Sequence, residues 1–141
     1  MRWSRICGNP CLWAFLVAEA WKLPLQPNIH LLPEALQAKV FDMQVNAGGN
    51  AIKILQRLLG PYTAAAVQRI YDQAGAYLVD AYGIARRDYY FRIGDRRTAS
   101  RKYARTGRGG KGGWIKRAEE FMQPKYHMTD AEFKLRISRW A

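Results

Sequence analysis

A chain of 141 residues with 23 Lys and Arg against 11 Asp and Glu has a net charge of +12, and 13% of its side chains are aromatic. A domain of about 150 residues buries roughly 70% of its unfolded surface, so there is material for one packed domain with a core and none for a second catalytic domain. The aromatic content excludes a disordered basic tail, and the charge calls for an anionic partner or surface, whether bacterial cell wall, anionic lipid or nucleic acid.

Residues 1–20, MRWSRICGNPCLWAFLVAEA, place Arg2 and Arg5 before a short apolar run that ends at Ala18-Glu19-Ala20. This small-x-small ending has the form of an export cleavage site, and the alternatives are an ordinary N-terminal helix or an atypical start. The run falls short of the roughly 18 apolar residues that span a bilayer. Cys7 and Cys11 are the only cysteines, and His30 and His127 are far from them in sequence. Structural zinc usually takes four Cys or His ligands, so neither metal nor cofactor is expected; the thiols read as unpaired, or as one local disulfide if the chain is exported.

The segment 21–30, WKLPLQPNIH, reads as an extended connector because of Pro24 and Pro27. From Leu32 to Gly60 the pattern predicts a helix hairpin. Pro33 suits a first turn, and Leu36, Val40, Met43 and Ala47 recur at helical spacing as a buried stripe, with Gln44 off it. Asp42 and Asn46, four apart, share another side of that helix. Gly48 and Gly49 break it. A second helix starts near Asn50 as N-cap, buries Ile52, Leu55, Leu58 and Leu59, and stops at Gly60. Pro61-Tyr62-Thr63 then opens a helix carrying Ala64, Val67, Ile70, Tyr71 and Ala74, which Gly75 kinks or divides. Leu78, Tyr82, Ala85 and Tyr89 continue the stripe towards Ile93. Basic residues crowd Arg86 to Arg117, and TGRGGKGG within that stretch is expected to be a mobile loop. Trp114 starts a short helix to about Met122 that Pro124 stops. Thr129 and Glu132 form a capping-box pattern before a last helix with Phe133, Leu135, Ile137 and Trp140. Nothing alternates with period two, so the expected fold class is all-α.

The stretch VFDMQVNAGGNAIKILQRLLG, at Phe41, Asp42, Asn46, Gly48, Leu55 and Gln56, resembles the C-terminal predicted peptidoglycan domain region of glycoside hydrolase family 108. That family comprises phage and bacterial N-acetylmuramidases also labelled secretion activator proteins. Its aromatic-rich helix followed by G-W-x-x-R is similar to Arg86 to Tyr90 with Gly113, Trp114 and Arg117, and the resemblance covers about residues 21–122. It implies a lysozyme-like helical domain over 21–141, action at the bacterial envelope or periplasm, and peptidoglycan and the anionic cell envelope as partners. The family's E-G-G glutamate and its D-x-G-G-x-T segment do not occur here, and neither does the D-G loop that precedes G-P-x-T in the family.

A glycosidase usually needs a carboxylic acid at the leaving oxygen and a carboxylate or held water opposite. No matched motif supplies the acid, so the catalytic residue is unknown and Glu19 is the weak candidate. Asp42 and Asn46 suit a polar wall for sugar hydroxyl and N-acetyl groups, or a buried pair bonding the backbone of Gly48 and Gly49. Gln56 is a further ligand candidate or a solvated helix residue. Trp114 and Arg117 could stack on a pyranose and hold an acidic group, with Tyr90 and Tyr89 alongside, or pack a core. The competing class is a nucleic-acid binder, carried by the Arg and Lys cluster, the interleaved tyrosines and the glycine loop.

Overall fold

The computed structural model describes residues 29–60 and 62–141; the N-terminal segment, with Glu19, Cys7 and Cys11, lies outside the described residues. The fold is all-α, with seven α-helices and no strand among the described residues. The chain divides into two compact units, Met1–Val79 and Asp80–Ala141.

In the first unit, α1 (Glu34–Ala47) and α2 (Asn50–Leu59) form the expected hairpin. Pro33 sits one residue ahead of the helix, as its N-cap. Gly48, at φ 56, ends α1, and its N–H donates to the Gln44 carbonyl at 2.8 Å. Leu36, Val40 and Met43 are fully buried, whereas Ala47 is half-buried. In α2 the N-cap is Gly49; Asn50 is the first helical residue and its Nδ2 donates to the Ala47 carbonyl at 2.9 Å. The buried face of α2 is Ala51, Ile52, Ile54 and Leu55, while Leu58 is exposed and Leu59 half-buried. The apolar run is thus followed inward only through its first turns, and its last turn faces solvent. Gly60, at φ 78, stops α2.

Helix α3 (Ala64–Ala74) is capped by Thr63, whose Oγ1 accepts from Ala66 N at 3.1 Å. Of its expected stripe only Val67 is buried. Gly75, at φ 56, divides α3 from α4 (Ala76–Arg96), and the boundary between the units falls inside α4.

In the second unit, α4 buries Tyr82, Arg86, Tyr90 and Phe91, while Ala85, Tyr89 and Ile93 are half-buried, so the inward face is rotated from the expected one. The short helix α5 (Arg101–Ala104), a turn, and α6 (Gly113–Glu120) follow. Helix α6 ends at Glu120, before Pro124, which starts a 3-10 turn over Pro124–Tyr126. Asp80 holds that exit: its carboxylate accepts from Gln123 N at 2.9 Å and Gln123 Nε2 at 2.8 Å. Helix α7 (Asp130–Ile137) starts in the expected capping box, with Glu132 N donating to Thr129 Oγ1 at 3.2 Å and Thr129 N to Glu132 Oε2 at 2.7 Å. Phe133, Ile137 and Trp140 are buried, but Leu135 is 77% exposed.

Candidate functional site

The glycine-rich stretch is not a loose loop. Thr106 N donates to the Gly110 carbonyl at 2.8 Å, Gly110 N to Thr106 Oγ1 at 3.0 Å, and Arg105 and Lys111 face each other across an antiparallel bridge. Gly112 N donates to the Ala104 carbonyl at 2.8 Å. A Cβ on Gly112 would lie 2.6 Å from the Ala104 carbonyl carbon and the Tyr103 carbonyl oxygen, so the backbones meet at a distance only glycine permits. The closed turn therefore ties the start of α6 to the end of α5.

That tie brings together rings far apart in sequence. Trp114 stacks on Tyr90 with centroids 4.8 Å apart and planes 17° apart, and it also meets Tyr103 at 5.0 Å and 31°. Tyr90 is 1% exposed, Trp114 is half-buried, and Tyr103 is 49% exposed. The three rings run from the core to the surface. Beneath them Arg86 is buried, with Nε donating to the Tyr90 hydroxyl at 3.2 Å and its guanidinium 5.8 Å from the Phe121 ring centroid. Arg117 stands 5.5 Å from the same ring and pairs with Glu120 at 3.3 Å on the surface.

The turn and α6 are fixed by a second device. Glu119, 5% exposed, accepts from Arg87 Nη1 at 3.2 Å, Lys111 Nζ at 2.6 Å and Met128 N at 2.8 Å. Lys111 Nζ also donates to the Met128 carbonyl, and Arg87 Nη1 to the Tyr126 carbonyl at 2.7 Å. A buried carboxylate is tolerated because its charge is matched and its oxygens accept several bonds. Asp95 gathers the C-terminus in the same manner, accepting from Arg136 Nη2 at 2.8 Å, Arg139 Nη2 at 3.1 Å and Trp140 Nε1 at 2.6 Å. Partial burial pushes its carboxyl upward, but the bonds from Arg136 and Trp140 and the two guanidinium charges outweigh this and hold it below the usual carboxylate range.

The residues read from the sequence fall in both units. Asp42, Asn46 and Gln56 lie in the first. Asn46 is exposed and its Nδ2 donates to the Asp42 carbonyl at 2.8 Å and to Asp42 Oδ2 at 3.4 Å. The pair makes an intrahelical contact on α1, with Asp42 half-buried and Asn46 exposed. Gln56 is half-buried on α2. A cavity of about 300 Å³ in this unit is lined by Ile29, His30, Gln37, Ala38 and Phe41. Tyr90, Trp114 and Arg117 lie in the second unit.

Tyr103, Lys111 and Glu119 were not singled out from the sequence. Tyr103 and Trp114 share no helical register, and only the closure of the glycine turn makes them neighbours. Among the described residues no cluster of His, Cys, Asp and Glu could hold a metal ion, and no helix is long and apolar enough to cross a membrane.

Neither a curated protein nor a solved structure matches the chain. Residues 50–119, from the first residue of α2 to the Glu119 hub and including the whole ring stack, match the family model described as a Predicted Peptidoglycan domain, which supports a peptidoglycan-related domain in this chain.

Proposed function

We propose that this chain is a cell-wall protein of the phage-lysis type, a lysozyme-like N-acetylmuramidase or its non-catalytic peptidoglycan-binding relative, and that it binds wall without turning it over. The observation that carries the reading is the peptidoglycan-domain match over residues 50–119. The net charge of +12 supports it, because long-range attraction concentrates such a chain on an anionic envelope. The wall-binding residues in this reading are Asp42, Asn46, Gln56, Trp114 and Arg117, with Tyr90 acting through Trp114 because its own ring is buried.

The expectation of binding without turnover rests on the family's E-G-G glutamate, which does not occur in this sequence, and the buried carboxylates of the second unit supply no replacement. In the second unit Asp80 and Glu119 are buried and committed to holding the fold, and Asp95 is committed to Arg136, Arg139 and Trp140. A glycosidase without its general acid forfeits roughly 10²-fold to 10⁴-fold in rate. Incubation of the full chain with purified sacculi, followed by co-sedimentation and an assay of released reducing ends, tests both halves. Co-sedimentation with little release is expected. Robust release abolished by Glu19→Gln would show that the N-terminal segment supplies a catalytic acid. Absence of co-sedimentation at physiological salt, with tight binding to single-stranded nucleic acid, would overturn the reading.

A further inference from the structure

The closed glycine turn leaves one aromatic ring facing solvent on a rigid support. We propose that Tyr103 is a saccharide-stacking residue, against which a pyranose of the glycan strand lies, with Lys102 beside it meeting a stem-peptide carboxylate. The proposal rests on the peptidoglycan reading above and names a contact point for it.

Three observations carry it. Tyr103 is 49% exposed, yet its ring is backed at 5.0 Å by Trp114, which is in turn backed at 4.8 Å by the buried Tyr90. Its backbone is clamped as well, because Gly112 approaches the Tyr103 carbonyl closely and Gly112 N bonds the Ala104 carbonyl at 2.8 Å. A ring already held in place loses little freedom when a ligand lands on it, so more of the contact energy appears as affinity. Finally, Lys102 is exposed and its Nζ lies over the Tyr103 ring, 5.1 Å from the centroid, so a pyranose landing on that ring displaces the flexible Lys102 side chain to its edge, where the ammonium meets the carboxylate. Peptidoglycan offers the complement of this pair, pyranoses with an apolar face and stem peptides with free carboxylates. An exposed ring beside a cation would also accept a nucleic-acid base, and the peptidoglycan-domain match over this stretch favours the glycan.

The test uses the full chain and soluble glycan strands bearing stem peptides, prepared from purified sacculi, with binding measured at low and high salt. Tyr103→Ala should weaken binding by roughly tenfold, the upper end of what an aromatic contact contributes. Tyr103→Leu keeps apolar bulk against Trp114 but removes the flat face, and should show the same loss with an unchanged melting transition; Tyr103→Phe should bind as the parent does. The loss on Tyr103→Ala should persist at high salt, whereas the loss on Lys102→Gln should fade there because the exposed charge is screened. Leu135→Gln, on the exposed side of α7, serves as the control. If the parent binds the strands and both Tyr103→Ala and Tyr103→Leu bind equally well, the stacking residue is refuted while the peptidoglycan reading stands. If the parent ignores the strands but binds a single-stranded oligonucleotide, both are refuted.

Discussion

At Gly94 the absence of a side chain makes room for an indole. A Cβ there would lie 2.5 Å from Trp140 Cζ2 and 2.6 Å from its Cη2. The indole cannot easily withdraw, because Trp140 Nε1 donates to Asp95 at 2.6 Å and Arg101 donates to the Gly94 carbonyl at 2.9 Å and the Trp140 carbonyl at 3.3 Å. Replacing glycine by alanine in a helix normally gains about 0.5–1 kcal/mol, whereas forcing extra volume into a packed contact costs about 1–3 kcal/mol. The steric term should win. Gly94→Ala is expected to lower stability in urea unfolding, while Gly107→Ala, which meets nothing within 4 Å, should stay within about 0.5 kcal/mol of the parent. A Gly94→Ala chain more stable than the parent would mean that Trp140 does not dock here. From the sequence, Gly94 is only a weak spot in a helix. Its purpose depends on a tryptophan at the other end of the unit, and no local pattern carries that information.

Helix ends were more legible than helix faces, for a physical reason. A stop written as glycine at positive φ, as at Gly48, Gly60 and Gly75, or a start written as a threonine cap, as at Thr63 and Thr129, is local chemistry that neighbouring residues complete. Which face turns inward is decided by partners far along the chain, and so Leu58, expected inside, is exposed, and the α4 stripe holds at Leu78 and Tyr82 but is only half-buried at Ala85, Tyr89 and Ile93. The glycine turn failed differently: glycine content reads as freedom, but Thr106 and Gly112 use that freedom to close a tight, bonded structure. The phase of α1 did follow from spacing, and it can be challenged directly. Met43 is fully buried and Val45 is 71% exposed. Met43→Asp strands a charge in the core and should cost about 3 kcal/mol or more. Val45→Asp should change stability by about 0.5 kcal/mol or less. Val45 is the proper comparison because Gln44, off the stripe in the sequence, is half-buried with Oε1 shielded from solvent. Similar losses of melting temperature for the two Asp variants would show that the helix is rotated from this phase.

Across the whole molecule the charge is unevenly held. Residues 80–141 carry sixteen Lys and Arg against seven Asp and Glu, a net of +9, which leaves +3 of the total +12 for residues 1–79. Within the basic unit the acids are largely spoken for: Glu119 holds Arg87 and Lys111, Asp95 holds Arg136 and Arg139, and Glu120 holds Arg117. Arg96, Arg97 and Arg108 are exposed and belong to none of these pairs. The sequence already locates the excess of charge in the stretch Arg86 to Arg117, and the fold adds which acids pair with it and that the rings of the same stretch stack. Cations on an exposed surface act through long-range attraction, which is screened beyond about 8 Å at physiological salt, and surface charges of this kind add little to folding stability. Replacing Arg96, Arg97 and Arg108 together by Gln should therefore leave the melting temperature nearly unchanged. The same triple variant should be retained less by sacculi at low ionic strength, and the difference from the parent should shrink as salt is raised. Stacking on Tyr103 predicts the opposite salt behaviour, so the two contributions can be separated in one titration series. A triple variant retained as well as the parent at every salt concentration would mean that this cluster does not contribute to attraction towards the wall.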